Sequence, residues 1–399
     1  MNIGEMRFLV VQNDAFERNR LRILLAGMGA TRIIEADDGP AALRLMQDPV
    51  QQIDIGFIDL HTPIMDGMEL IRHMARTERD TAIVMSGVED PALEFTFVTL
   101  SKAYDVNLLG FVQRPTTDDK LGQLIKRYTP RLAYACDTVT EVREFSIGDI
   151  MLALASDQIA PYFQPKVALA TGRVQGAEAF ARWHHPELGM ILPHRFIPVL
   201  EKYQQLDQLT TAMIEKSITA CRLWHDAGYL ISVSINLGST LLGEADIADR
   251  IADQVAAHRL EPRYVTFEIT ESAASNEQPA ALENMVRLRL KGFELSVDDY
   301  GTGHASMQQL LRIPFSELKI DRSFVAGAAL SESLGVVLGA SIELAGKLEK
   351  SSVAVGIESR EDWELLKKMG CTCGQGYYIA RPMAATALPD WMREWGQFF

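Results

Sequence analysis

The chain has 399 residues, 47% of them hydrophobic and 23% charged, which allows two or three buried cores and leaves no disordered tract. Its net charge of −14 excludes a nucleic-acid partner held by a basic face, because phosphate backbones repel such a surface. The four cysteines fit neither a disulfide framework nor a zinc pattern, and no apolar run reaches the roughly 18 residues of a membrane span. The start, MNIGEMRFLVV, lacks the basic n-region of a signal peptide, so a cytoplasmic protein is expected.

In chain order, RFLVV, TRIIEA, DIGFID, TAIVMS and LLGFVQ read as five buried strands with amphipathic helices between them. This alternation predicts a doubly wound five-stranded parallel sheet over residues 1–128. Residues 129–145, of mixed polarity and with a proline, read as a linker helix. A second alternation fills 146–399, with strands expected at PYFQPKV, VQGAEAFARW, LISVSIN, YVTFEIT, FELSVDD, SELKID, SVAVGI and GQGYYI. Eight strands with helices over about 250 residues is the arithmetic of a TIM-like (β/α)8 barrel.

Barrels place their chemistry where strands end. Here Glu178, Asn236, Glu268, Asp298 with Asp299, Lys319, Glu358 and Gln375 gather at those ends. Carboxylates converging in a low-dielectric space repel one another, and an oxygen-rich set favours magnesium or manganese. A single such acid would more simply be a solvated loop residue or a structural ion pair, but the whole set at strand ends favours a site.

The motifs then become specific. GAEAFARWHHPELGMILPHRFIPVLE is followed by SINLGSTLL, FEITES, DDYGTGHASM, ELKIDRSFV, VAVGIE and GQGYYIARPM. In these ordered blocks the chain resembles the EAL domains, which bind and usually hydrolyse cyclic di-GMP and whose barrel has one strand reversed. The naming Glu-Ala-Leu triplet reads Glu178-Ala179-Phe180 here. The resemblance implies first-metal ligands at Glu178, Asn236, Glu268 and Asp298, with Asp299 helping to hold a second metal. It places Lys319 on the attacking water or scissile phosphate, and Glu271 as the residue that shapes the loop after Asp299. It makes Gln375 and Glu358 supports of the site, and puts Gln164 and Arg182 along the dinucleotide.

One block departs. The family's seventh-strand Ala-Glu-Gly-Val-Glu reads Ala354-Val355-Gly356-Ile357-Glu358, so Val355 stands where a second-metal glutamate is expected. Valine offers no lone pair, which predicts one ion held rather than two and the loss of a proton acceptor. Phe180, Gly238, His304 and Met307 are smaller departures, read as neutral drift.

In the first domain IDLHTPIMDG resembles the phosphorylation segment of receiver domains, the input half of response regulators. The resemblance makes Asp59 the phosphoacceptor candidate and Ser86 the hydroxyl that senses the phosphoryl group. Receivers hold magnesium with an acidic pair after the first strand, and here that place reads Gln12-Asn13, leaving Asp14 nearby. Arg114 stands where a lysine normally precedes proline. Two uses remain open: a phosphoswitch fed by a histidine kinase, or a receiver fold kept for dimerisation or docking.

The expected function is cyclic di-GMP signalling, with a catalytically impaired barrel that binds the dinucleotide or a protein partner under receiver control. The alternatives are an active metal-dependent phosphodiesterase yielding linear pGpG, and a scaffold binding neither nucleotide nor metal. A homodimer or higher oligomer is expected, and no DNA-binding motif is present.

Overall fold

The computed structural model describes residues 3–48, 51–74, 81–88, 91–104, 106–113, 116–128, 145–271, 278–301 and 310–398. They fall into two compact units, 1–140 and 141–399. Arg114, His304, Met307 and all of the expected linker helix except Phe145 lie outside the described residues.

The five runs expected in the first unit are its five strands: β1 (Arg7–Val11), β2 (Arg32–Ala36), β3 (Ile55–Asp59), β4 (Ala82–Ser86) and β5 (Leu108–Val112). They form one parallel sheet in the order β2-β1-β3-β4-β5. The period of two along β1 splits its side chains between two cores. Phe8 and Val10 pack with Leu21, Leu25, Leu121 and Leu124, while Leu9 and Val11 pack with Ala42, Met46, Leu70 and Ile71. Cover on both faces explains why β3 and β4 are buried at every position and read as unbroken apolar runs. The strand order reverses between β1 and β3, where such sheets open a crevice at their carboxyl ends. Asp59 ends β3 at that crevice, with Ser86 of β4 as its register partner.

The second unit starts with helix Ile147–Ala155, opened by a capping box between Ser146 and Asp149. Ten strands follow: β6 (Ile159–Ala168), β7 (Val174–His185), β8 (Gly189–Ile191), β9 (Ser232–Asn236), β10 (Val265–Thr270), β11 (Glu294–Tyr300), β12 (Glu317–Ile320), β13 (Ser351–Val355), β14 (Cys373–Gln375) and β15 (Met383–Ala384). Eight of them close a barrel in the order β6-β14-β13-β12-β11-β10-β9-β7, with β7 returning to β6. β6 is antiparallel to both neighbours and the other barrel pairs are parallel, so β6 is the reversed strand. An antiparallel pair needs only a short connection, and residues 169–173 supply it between β6 and β7.

One expected strand is shorter than its sequence suggests. GQGYYI reads as a β-rich run, but β14 ends at Gln375. Beyond it Gly376 lies on the backbone of Ile357, where an added Cβ would stand 2.2 Å from the Ile357 nitrogen. Tyr378 N then donates to Ile357 O at 3.0 Å, so the chain folds back instead of extending. The short β8 and β15 were not among the expected strands.

Alternation also divides the barrel strands. Leu318 and Ile320 of β12 point outward into cores shared with the surrounding helices, while Glu317 and Lys319 point into the lumen. Barrel interiors are usually filled by branched apolar side chains. This one carries charge, with Lys166 of β6 and Glu317 buried and joined at 2.6 Å.

Candidate active site at the barrel mouth

Lumen-facing positions on β7, β10, β11, β12 and β14 each deliver one polar group to a common point. Lys319 is 2% exposed, and its Nζ donates to Glu268 Oε2 at 2.7 Å and Glu178 Oε2 at 3.0 Å, and pairs with Asp298 Oδ2 at 3.1 Å. Oxygens of the three carboxylates lie within 4.8 Å of one another, a grouping able to hold a metal ion. Asn236, the last residue of β9, is the register partner of Glu268 and stands at the rim beside it.

The charges shift one another. Burial alone would lower the Lys319 ammonium, but Asp298, Glu178 and Glu268 hold it well above its ordinary value. Burial, and then the neighbouring Glu178 charge, keeps Glu268 well above the usual carboxylate range. Asp298 is raised mainly by burial, against the pull of Lys319. Burial also works upward on Glu178, but Lys319 and the hydrogen bonds around it leave Glu178 below its ordinary value. Three acids sharing one ammonium is a frustrated arrangement, with more negative charge than the lysine neutralises. That donor set suits a divalent cation better than it suits a single ammonium.

Asp299 follows at φ +56 with its carboxyl pushed up to about 6, first by burial and then by Asp298 and Asp321. Its backbone N–H donates to Asp298 Oδ1 at 2.9 Å, which fixes that carboxylate. Glu271 accepts from Gly301 N at 2.9 Å and so ties down the start of the following loop. Gly301 is required there. It has φ +101, and an added Cβ would stand 1.9 Å from the Phe324 ring.

A chain of amides supports Glu178. Gln375 Nε2 donates to Glu178 Oε2 at 2.8 Å and to Gln164 Oε1 at 3.0 Å, and Gln164 Nε2 donates to Ala380 O at 2.8 Å. Arg182 lies over the Phe180 ring, 5.8 Å from its centroid, two residues above Phe180 on the lumen side of β7. Phe180 thus has a packing partner that the drift reading did not give it. Glu358 does not join the cluster: it is exposed and pairs with Arg322 at 2.5 Å, because Gly356 turns the chain away at φ +81.

Val355 ends β13, half-buried, as the register partner of Gln375. It shares its face with Val353, which pairs with Lys319, so the isopropyl group stands at the mouth beside Gln375. No lone pair is offered at that point of the ring.

The Lys166–Glu317 pair was not anticipated, although both lie two residues from a recognised site residue, Gln164 and Lys319. Period-two counting along the strands was the available signal.

The receiver pocket is built differently. Asp59 is fully buried, its Oδ1 accepting from His61 N at 2.8 Å and its Oδ2 from Gln12 Nε2 at 2.5 Å. Asp14, the acid that the sequence leaves near this pocket, is placed elsewhere. Asp14 is the N-cap of helix Ala15–Gly27 and accepts from Phe16 N and Glu17 N, because a carboxylate there satisfies orphan amides.

A closed barrel with one reversed strand and convergent acids at its mouth, preceded by a receiver-type sheet, defines a two-domain signalling architecture. The EAL domain family matches residues 147–382, and the response regulator receiver domain family matches residues 8–126. The chain belongs to the receiver–EAL family. It is 31% identical over 381 residues to the cyclic di-GMP phosphodiesterase RocR of Pseudomonas aeruginosa, covering 96% of this chain and 97% of RocR. It is 34% identical over 243 residues to the bifunctional diguanylate cyclase/cyclic di-GMP phosphodiesterase MucR of the same organism, spanning 36% of that longer protein. Among solved structures, a cyclic di-GMP complex of the MucR phosphodiesterase matches with TM-score 0.58 and 34% identity, covering 60% of this chain and 98% of that one. The FimX EAL domain from Pseudomonas aeruginosa bound to cyclic di-GMP shares the fold at 21% identity and TM-score 0.55. Among the described residues no helix is long and apolar enough to cross a membrane.

Proposed function

We propose that the barrel binds cyclic di-GMP with a divalent metal, and that its hydrolytic step is impaired. Glu178, Glu268 and Asp298 would hold magnesium or manganese together with Asn236, one ion rather than two. A bound ion of this kind polarises a phosphodiester and lowers the pKa of water. The residues of the chain do the positioning. Gln164 and Gln375 orient Glu178, the Asp299 N–H fixes Asp298, and Arg182 on its Phe180 platform offers a guanidinium to a phosphate. Lys319 supplies a permanent positive charge for an anionic ligand.

The observation that carries the impaired reading is Val355 at the mouth, in register with Gln375. A carboxylate there would complete a second metal position and accept the proton of water; valine does neither. The receiver domain is the input module of the chain. Likeness to RocR over nearly the whole chain supports cyclic di-GMP as the ligand.

The test is incubation of the full chain with cyclic di-GMP, with and without magnesium or manganese, following binding by calorimetry and linear pGpG by chromatography. Metal-dependent binding without product is expected. Metal-dependent product would overturn the impairment and leave Asp299 as the acid doing the missing work.

A further inference from the structure

The class of receiver domains uses magnesium to neutralise an incoming phosphoryl group, and the Asp59 pocket does not fit that ion. Of the two residues at the place of the acidic pair, Gln12 is a neutral amide whose NH2 points at Asp59, and Asn13 is exposed. Asp14, the nearest further acid on that loop, is committed to its helix. Among the described residues no grouping of three metal-ligating side chains includes Asp59. The backbone there is pinned: Arg18 Nη1 donates to the carbonyl oxygens of Gln12 at 2.6 Å and Asn13 at 3.3 Å. Arg18 is held in turn by Glu35 at 3.3 Å.

The pocket is also shut. Gln12 is 1% exposed and Asp59 0%. Gly87, at φ +79, brings its backbone so close that an added Cβ would stand 2.9 Å from Asp59 Oδ1. A buried carboxylate needs partners in place, and an amide donor on one oxygen with a backbone N–H on the other supplies them.

We infer that Gln12 clamps Asp59 in place of a divalent cation, so that the receiver domain works in a fixed, phosphorylation-independent state. This inference is independent of whether the barrel hydrolyses its ligand.

Acetyl phosphate with magnesium tests it on the full chain. In a competent receiver an Asp59 oxygen attacks phosphorus, the P–O bond to acetate breaks and acetate leaves, adding one phosphoryl group that intact-mass spectrometry reads. The wild-type chain is expected to gain none and to show no magnesium-dependent change in melting temperature. The Gln12→Asp/Asn13→Asp variant should gain the phosphoryl group and melt higher with magnesium. If that variant does not fold, Gln12→Glu/Asn13→Asp keeps the side-chain length at the buried position and reads out the same way. Magnesium-dependent labelling of Asp59 in the wild type would overturn the inference. So would an unlabelled but folded variant, which would show that the amide is not what excludes the donor.

Discussion

At the barrel mouth three carboxylates crowd one ammonium, whereas in the receiver pocket Asp59 accepts from the Gln12 amide on one oxygen and the His61 backbone N–H on the other. The first arrangement has excess negative charge, raises Glu268 and Asp298, and stays receptive to a cation. The second is saturated: each Asp59 oxygen has a donor. Burial is similar in both, so burial alone does not distinguish the two acidic pockets. The balance between acids and donors does.

The largest effect expected from breaking this contrast is catalytic. Val355→Glu should add the missing proton acceptor and raise pGpG formation about 10²–10⁴-fold, measured as initial rate with manganese. An unchanged rate in a protein that still binds metal would place the defect elsewhere. Next, Glu178→Ala and Asp298→Ala should each remove metal-dependent binding of cyclic di-GMP by calorimetry; unchanged affinity in both would mean the cluster is not the metal site.

Stability sharpens the same comparison. Lys319→Met leaves buried carboxylates without their cation and should cost about 3–5 kcal/mol in metal-free protein by urea unfolding. Part of that loss should return as magnesium is added. Gln12→Met removes one hydrogen bond to a charged group and should cost about 1.5–3 kcal/mol, with no recovery on adding magnesium. Magnesium recovery in both variants would erase the distinction between the pockets.

The smallest effect concerns the loop that carries Asn236. Gly238 is the N-cap of the short helix Ser239–Leu242 with no side-chain cap. Among the described residues the buried Asp207 Oδ1 has no hydrogen-bond partner, and it lies 3.9 Å from where a Gly238 Cβ would be. Gly238→Ser should both cap the helix and reach that oxygen, a gain of about 1 kcal/mol. In a unit of this size it should raise the melting temperature by about 2–4 °C. Gly238→Ala, with no hydroxyl, should give no such rise.

Strand positions and fold were legible because β3, β4 and the barrel strands carry local signals: apolar runs, period-two alternation and acids at strand ends. The motif resemblance placed Glu178, Glu268, Asp298 and Lys319, and they do converge. What misled was local as well. The YYI of GQGYYI looks like a strand, but Gly376 packs on Ile357 and turns it back. Glu358 looks like a site acid, but Arg322 takes it. Asp14 is the acid nearest the receiver pocket in sequence, but it caps its own helix N-terminus.

By itself the sequence determined two α/β domains, the residues at the strand ends and the absence of a carboxylate at Val355, because these depend on residue type and short-range period. The tertiary structure decided which groups neutralise which. Lys319 draws in three acids from β7, β10 and β11, Gln12 closes on Asp59, and Lys166 meets Glu317 inside the barrel. Those pairings join separate elements of the chain, up to 151 positions apart in the case of Lys166 with Glu317 and 47 in the case of Gln12 with Asp59. No local pattern encodes them. Closure of the sheet and the barrel brings them within a few ångströms, and only then does Coulomb energy in a buried space choose the partners.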